Sequence, residues 1–152
     1  MVELAELFAE RRSTTIQYDG ELVHGVYEFE RVPRSLAVTF VRATQAPVQG
    51  LRLKIRGGVF DVPEERGIHD LVLWTDTAPG NVVVSLRNVR PDALLKVWNV
   101  WRRQVGGHAV TQAWLGNAGM RVSGAENRLL LRCSDGEGPV AFDDLEAVVE
   151  SE

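Results

Sequence analysis

A two-residue periodicity runs through most of the chain, and it limits what the chain can fold into. Successive side chains of a β-strand point to opposite faces, so alternating apolar residues predict strands that are buried on one side. Pro and Gly separate these runs at intervals of roughly 8–12 residues, which is typical of an antiparallel sandwich or barrel. We therefore predict an all-β fold of two antiparallel sheets with about 8–10 strands. The runs are Leu36/Val38/Phe40, Leu51/Leu53/Ile55, Leu71/Leu73, Val82/Val84/Leu86, Leu129/Leu131/Cys133 and Leu145/Ala147/Val149.

The first twelve residues depart from this periodicity. Leu4, Leu7 and Phe8 are spaced by three and four residues, which predicts a short helix. The chain has 152 residues, of which 45% are hydrophobic and 25% are charged, and this composition is typical of one globular domain. We therefore predict a single sandwich domain over residues 1–152, with residues 1–12 as an appended helix.

Asp19-Gly20 marks a hairpin near the start of the sandwich. This dipeptide tolerates the positive φ angles of a two-residue turn, and Thr14–Tyr18 and Glu21–Arg31 flank it as strands. Such a turn sets Tyr18 opposite Glu21 and Ile16 opposite Val23. The predicted inward face of the hairpin then consists of Ile16, Val23, Tyr27 and Phe29.

The segment Pro91–Gln104 has two interpretations. Apolar residues at helical spacing, with Pro at the start and Gly106-Gly107 after the end, indicate a helix. The run Val97-Trp98-Asn99-Val100-Trp101 is rich in residues that favour strands and is apolar on both faces, which indicates a central strand. We favour the strand.

The sequence also predicts the cellular compartment of the protein. The longest apolar runs, such as Val82–Val84, are far shorter than a transmembrane helix, which needs about 18 apolar residues. The N-terminus carries acidic residues where a secretion signal has basic ones. Cys133 is the only cysteine, so no internal disulfide can form, and a reducing compartment is the natural setting. We therefore predict a cytoplasmic protein that does not enter a membrane.

The net charge of −4 hides an uneven distribution. Residues 1–30 carry 2 basic and 7 acidic side chains, residues 31–132 carry 15 and 7, and residues 133–152 carry 0 and 7. The segment charges are −5, +8 and −7, and they predict that the acidic last strand runs beside basic strands. A basic middle segment can also attract nucleic acid. We predict no nucleic-acid partner, because no aromatic residue interleaves the basic row Arg52, Lys54 and Arg56.

Glu28 and Glu30 lie two residues apart on one face of a predicted strand. Their separation of roughly 6.5–7 Å overlaps that of the acid and base in glycoside hydrolysis. We expect instead that they pair with the basic row Arg52, Lys54 and Arg56 on a neighbouring strand.

The sequence contains no local motif of a familiar enzyme. Gly-rich phosphate loops, nucleophile elbows and paired-histidine zinc motifs are absent from it. His24, His69 and His108 are 45 and 39 residues apart, so a metal site of three histidines depends entirely on tertiary convergence. We therefore predict no enzymatic activity, with a pocket assembled from distant residues as the open alternative.

The four tryptophans are the most informative side chains. An indole can stack on the C–H face of a sugar while nearby amides and carboxylates bind its hydroxyls. The alternative is that the indoles belong to the core, and Trp98 and Trp101 cannot both face the same way on a strand. The predicted ligand-binding residues are Trp74, Asp76, Trp98, Asn99, Trp101, Trp114 and Asn117.

The segment Phe142-Asp143-Asp144-Leu145 precedes the last apolar run. The alternation that turns Leu145 inward also turns Asp143 inward and leaves Asp144 in water, and a buried acid needs a partner, a cap or a metal. This segment resembles the final strand of jelly-roll, galactose-binding-like carbohydrate-binding modules. The resemblance covers about nine residues. It implies a jelly-roll-like arrangement of the two sheets and a structural calcium held by Asp143, with no other cofactor.

Two functional hypotheses follow from these observations. The first is a non-catalytic binding module for a carbohydrate or a similar small polar ligand, motivated by the tryptophans and their polar neighbours. The second is an intracellular protein whose acidic tail and basic middle segment bind another protein chain or a second copy of itself as a homo-oligomer.

Overall fold

The computed structural model describes residues 2–152 and confirms an all-β fold of two antiparallel sheets. These residues form one helix and fourteen strands, more strands than predicted. A break at Gly25 divides one predicted strand, and four further strands form outside the predicted runs, at Val59–Val62, Glu65–Ile68, His108–Gln112 and Gly119–Ala125. The elements are α1 (Leu4–Arg11), β1 (Thr15–Tyr18), β2 (Glu21–His24), β3 (Tyr27–Glu28), β4 (Ser35–Ala43), β5 (Val48–Arg56), β6 (Val59–Val62), β7 (Glu65–Ile68), β8 (Asp70–Trp74), β9 (Asn81–Arg87), β10 (Leu94–Val105), β11 (His108–Gln112), β12 (Gly119–Ala125), β13 (Arg128–Ser134) and β14 (Leu145–Ser151).

The larger sheet has nine strands in the order β1-β2-β12-β13-β14-β4-β9-β6-β7. The smaller sheet has five, and β10 lies at its centre. One edge of β10 pairs with β5, which in turn pairs with β8. The other edge of β10 is shared by β3 and β11. The predicted strand over residues 91–104 is therefore confirmed as the middle of the smaller sheet.

The main core fills the space between the two sheets. The smaller sheet contributes Leu51, Leu53 and Val97 to it, and the larger sheet contributes Leu131 and Val149, all fully buried. These residues occupy alternate positions along their strands, as the two-residue periodicity predicts.

The predicted N-terminal helix is confirmed as α1, and it covers a second, smaller core. Leu4 is fully buried there together with Ile16 and Val23 of the first hairpin, and Leu7 and Phe8 pack against them. In the part of the chain that the structure describes, α1 is the single helix, and it lacks the length and apolarity to span a bilayer.

The first hairpin has the predicted turn and register. Asp19 and Gly20 have φ angles of 51° and 76°, and Tyr18 lies opposite Glu21. The predicted second strand, however, is not continuous. It stops at His24, and the chain crosses to the smaller sheet, where Tyr27–Glu28 pairs with β10.

The predicted single inward face of this hairpin is therefore wrong. Phe29 enters the main core, while Ile16 and Val23 remain in the smaller one. The physical reason is the break after His24, because a chain that leaves its sheet no longer keeps a common face with the strand before it.

Charged side chains pair across neighbouring strands, but with partners other than those predicted. β10 separates Glu28 from the basic row on β5, so Glu28 lies opposite Lys96. Arg52 pairs instead with Asp70 on β8, at 2.6 Å. The acidic last strand does run beside basic strands, as predicted, because the register places Glu146 between Arg132 of β13 and Arg42 of β4.

Candidate functional site

The outer face of the smaller sheet carries a tryptophan on each of two strands. The register aligns Trp74, Gly50 and Val100 in one row across β8, β5 and β10. A Cβ atom at Gly50 would lie 2.7 Å from Cε3 of Trp74. Glycine at this position therefore allows the Trp74 indole to lie directly over the β5 backbone. Trp98 occupies the next row, opposite Arg52.

Trp114, from the loop after β11, stacks on Trp98. The ring centroids are 5.0 Å apart and the ring planes are inclined by 29°. Trp98 is only 5% exposed, whereas Trp114 is 52% exposed. Because Trp98 covers one face of the Trp114 ring, the exposed area belongs to the opposite face and the ring edges.

The Trp114 side chain is fixed in this position. Its indole N–H donates a hydrogen bond to the carbonyl oxygen of Gly25, at 3.0 Å. The backbone of Trp114 has a φ angle of 58°, in the left-handed region that bulky residues rarely adopt. Such a conformation costs of order 1–3 kcal/mol and persists only where surrounding contacts impose it. The stack and the hydrogen bond are those contacts.

Two arginine–aspartate pairs lie beside the indoles on the same face. Arg102 donates two hydrogen bonds of 2.9 Å to Asp76, and its guanidinium carbon is 4.6 Å from the centre of the Trp74 ring. Arg52 forms the same bidentate pair with Asp70, through hydrogen bonds of 2.8 and 2.6 Å. Its guanidinium carbon is 5.7 Å from the centre of the Trp98 ring. Planar guanidinium groups suit both contacts.

The pairs keep their carboxylates ionised. Hydrogen bonds from Arg52 lower the pKa of Asp70, and hydrogen bonds from Arg102 lower the pKa of Asp76. Each pair is neutral as a whole but presents donors and acceptors beside an aromatic surface. We call this surface the outer aromatic face, and it consists of Arg52, Asp70, Trp74, Asp76, Trp98, Arg102 and Trp114.

No protein-family model, curated protein or solved structure matches the chain.

Four of the predicted ligand-binding residues meet on the outer aromatic face: Trp74, Asp76, Trp98 and Trp114. Trp98 serves there as a support rather than as an accessible stacking group, because Trp114 covers it. Sequence reasoning missed Arg52, Asp70 and Arg102. The alternation along β5 and β10 indicates that the arginines point outward, but their aspartate partners are recognisable only from the pairing of β5 with β8 and β10.

Trp101 and Asn99 lie on the opposite, inner face of β10. Trp101 is 1% exposed and donates its indole N–H to Glu137 at 3.3 Å. Asn99 is 3% exposed and donates its amide to the carbonyl oxygen of Ser134 at 2.9 Å. Strand alternation turns both residues away from Trp98, so they belong to the core and leave the candidate site.

Asn117 also leaves the candidate site, because backbone groups occupy its amide. Its side-chain oxygen accepts a hydrogen bond from the Leu4 N–H, and its side-chain nitrogen donates to the Gly138 carbonyl oxygen. Glu3, the residue before α1, makes no capping hydrogen bond with its side chain. Asn117 therefore caps the helix from a distant loop.

The predicted inward position of Asp143 is wrong. Asp143 is exposed, because β14 begins only at Leu145 and a turn before it interrupts the alternation. Asp144 is half-buried instead, and its carboxylate accepts a hydrogen bond from the Asp135 N–H at 3.0 Å. Burial raises the pKa of Asp144, and the neighbouring Asp135 carboxylate raises it further.

The residues around this turn do not fit the implied calcium. Each oxygen of the buried Asp135 carboxylate accepts a hydrogen bond of 2.8 Å, one from the Gln49 amide and one from the Glu137 N–H. Calcium requires six to eight oxygen ligands. Among residues 2–152, no group of three or more His, Cys, Asp or Glu side chains is placed to hold a metal ion.

The histidines lie on separate elements. His24 ends β2 and is half-buried, which lowers its pKa, while His69 and His108 are exposed at β7–β8 and β11. A surface cavity of about 390 Å³ lies beside His24, and Glu28, Glu30 and Lys96 also line it. The three histidines therefore form no common site, and the glutamates share their cavity with a lysine.

Proposed function

We propose that the protein is a non-catalytic binding module for a carbohydrate or a similar polar ligand, and that the outer aromatic face is its binding surface. The main support for this proposal is the position of Trp114. Its indole is half-exposed, and the stack on Trp98 covers one ring face and leaves the other toward solvent. A ring fixed before binding loses little conformational entropy when a ligand stacks on it.

The polar groups on the rest of the outer aromatic face suit a ligand with several hydroxyls. Stacking of an indole on sugar C–H groups supplies affinity, and neighbouring polar groups supply orientation. Arg52 and Asp70 together offer guanidinium donors and carboxylate acceptors on one side of Trp98, and Arg102 and Asp76 do so over Trp74. Because both pairs are neutral, the face favours an uncharged polar ligand over an anion.

The architecture supports this proposal only by analogy of fold. A two-sheet antiparallel sandwich is consistent with the resemblance to jelly-roll carbohydrate-binding modules. We therefore also propose that the two sheets have a jelly-roll arrangement. We also propose a cytoplasmic location, because the single cysteine, Cys133, is buried and has no second cysteine with which to form a disulfide within the chain.

The test is a titration of the protein with each member of a panel of neutral oligosaccharides. Tryptophan fluorescence and isothermal calorimetry measure the binding. We expect saturable binding to at least one member of the panel. The variant Trp114→Ala should weaken that binding about tenfold or more, since a lost stacking contact of about 1.4 kcal/mol corresponds to a factor of ten.

Two further variants isolate the role of the ring. Trp114→Phe keeps an aromatic ring against Trp98 and should retain part of the affinity. Leu115→Ala removes a neighbouring apolar side chain of nearly equal exposure, 53%, and should leave the affinity unchanged. Absence of binding at millimolar oligosaccharide, or equal affinity of Trp114→Ala and Leu115→Ala, would refute the proposal.

A further inference from the structure

A groove runs along one side of the sandwich, where the two sheets are open to solvent. Its cavity has a volume of about 280 Å³. Leu71–Trp74 of β8 form one wall, Asn81–Val83 of β9 form the other, and the turn at Val62–Glu65 lies at its mouth. We call it the edge groove. Backbone groups on both walls distinguish it from an ordinary surface depression.

The β8 wall presents backbone groups that its own sheet does not use. Thr75 donates to Gln49, and Ile55 donates to His69, which shows that odd-numbered residues of this strand point their backbone groups toward β5. In an antiparallel strand the next residues point the opposite way. The N–H and C=O groups of Val72 and the N–H of Trp74 therefore point away from β5. Within residues 2–152, the smaller sheet ends at β8.

The β9 wall has a similar unused edge. Phe40 donates to Gly80, and Leu86 donates to Arg34, so even-numbered residues of this strand point toward β4. On its other side β9 pairs with β6 only as far as Ser85 opposite Asp61. The backbone groups of Asn81 and Val83 therefore lie beyond the paired segment, on the side of the groove.

The side chains of the edge groove combine an apolar wall with acidic residues. Leu71 and Val72 are only partly buried, and Val82 lies opposite them. Glu64 and Glu65 are exposed at the mouth, and neither forms an ion pair within the described range 2–152. Unpaired strand edges with apolar neighbours are sites where another strand can add to a sheet.

We propose that the edge groove binds an extended segment of a partner protein as an added strand beside β8. Its alternate side chains are apolar and face the groove, and a lysine or arginine near one end meets Glu64 and Glu65. The acidic mouth favours such a partner over a second copy of this chain, because the β8 edge of a second copy, Asp70–Trp74, carries no lysine or arginine to meet Glu64 and Glu65. The edge groove differs from the outer aromatic face, although Val72 and Trp74 border both surfaces. The tests leave Trp74 unchanged, and Val72→Thr controls for the change of side chain at Val72.

The experiment is a selection of binders from a phage library of random twelve-residue peptides, using the full chain as bait. We expect enriched peptides with alternating apolar residues and a basic residue, and their affinities are then measured by fluorescence anisotropy. Val72→Pro removes the N–H that would pair with the added strand but that β5 does not use. It should weaken binding at least tenfold, whereas Val72→Thr, which keeps the N–H, should not.

Two more variants make the outcome independent of a folding defect. The double variant Glu64→Lys/Glu65→Lys alters only exposed side chains and should weaken binding of the basic peptides while strengthening that of versions with Glu in place of Lys. Val83→Pro removes the corresponding N–H on the opposite wall and should leave binding intact.

Several outcomes would overturn the inference. One is a selection that enriches no peptide with this pattern. Others are peptides that bind Val72→Pro as tightly as the unaltered chain, or that lose affinity only with Val83→Pro. A concentration-dependent dimer that Val72→Pro abolishes would assign the groove to a second copy instead. None of these outcomes depends on oligosaccharide binding at Trp114.

Discussion

The two sheets present very different faces to solvent. On the smaller sheet, Trp98 and Val100 point outward but are almost completely covered by the side chains above them. On the larger sheet, the outward positions of β13 and β14 carry charges such as Arg132, Glu146 and Glu150. The smaller sheet thus has a second apolar layer outside the sandwich, and the larger sheet has an ordinary solvated face.

This difference shows that the fold builds an apolar layer outside the sandwich on one sheet only. One apolar face is sufficient for a strand to join a core, and β14 has only one, made of Leu145, Ala147 and Val149. β10 is apolar on both faces although one of them lies outside the sandwich. Trp114 is the exposed residue of this outer layer, and exposed apolar surface is what the proposed binding site uses.

The largest expected effect comes from removing the centre of the outer layer. Trp98→Ala deletes a nearly buried indole and should lower the free energy of unfolding by about 3–5 kcal/mol, as for a core residue. Val148→Ala, at an outward position of β14, should lower it by less than about 1 kcal/mol. Urea denaturation of both variants measures the difference. A loss below about 1 kcal/mol for Trp98→Ala would show that the two outer faces are equivalent.

A smaller effect is expected where β5 passes under Trp74. Gly50→Ala places a Cβ atom 2.7 Å from the Trp74 ring and 2.9 Å from the Leu73 carbonyl oxygen, and that backbone oxygen cannot easily move. We expect the free energy of unfolding to fall by about 1–3 kcal/mol. Gly80→Ala is the matched control, because a Cβ atom there has no neighbour within 4 Å among the residues that the structure describes. Equal melting temperatures for the two variants would contradict the packing of Trp74 over β5.

The smallest effect concerns two aspartates with opposite pH behaviour. The pKa of Asp70 is lowered in the folded state by its hydrogen bonds with Arg52. The stabilisation that the carboxylate provides is therefore complete above the unfolded pKa of about 3.9 and is lost as the pH falls further, through the lower folded-state pKa. Asp70→Asn should therefore destabilise the protein at pH 7 by less than about 1 kcal/mol, since the pair is partly exposed. The difference should vanish in acid.

Asp144 provides the contrast at the end of the sandwich. Its pKa is raised by burial, so the folded state favours its neutral form, and its contribution weakens as the pH rises above about 3.9. Asp144→Asn should then be more stable than the unaltered protein at pH 7 and equally stable in acid. Thermal melts of both variants between acid and pH 7 measure whether each substitution raises or lowers stability. NMR titrations of the carboxyl groups measure the direction of each pKa shift. The same sign for both aspartates would contradict the assigned environments.

Much of the fold was predictable because the signals were local. The alternation of Leu51 and Leu53 identified the inner face of β5, and the Asp19-Gly20 turn set the register of the first hairpin. The prediction for Glu21–Arg31 was wrong, because a chain can leave its sheet at Gly25 without disturbing the two-residue pattern. The position of Asp143 was wrong for a related reason, since a turn that precedes β14 ends the alternation.

Less of the candidate site was predictable. The tryptophans were conspicuous, but Trp98 and Trp101 separate onto opposite faces, and only the stack with Trp114 shows which one contributes to the outer layer. Arg52 appeared as one cation in a basic row. Its contact with Asp70 depends on residues 18 positions apart in the chain.

The sequence by itself determined that this chain forms short strands, where most of them run, and which side chains of the alternating apolar runs face inward, because periodicity acts between neighbouring residues. The tertiary structure alone decided which strands are adjacent. Adjacency brings Trp74 over Gly50, pairs each arginine with its aspartate, and leaves the edges of β8 and β9 open on a common groove. Those relations connect residues far apart in the chain, and no local pattern specifies them.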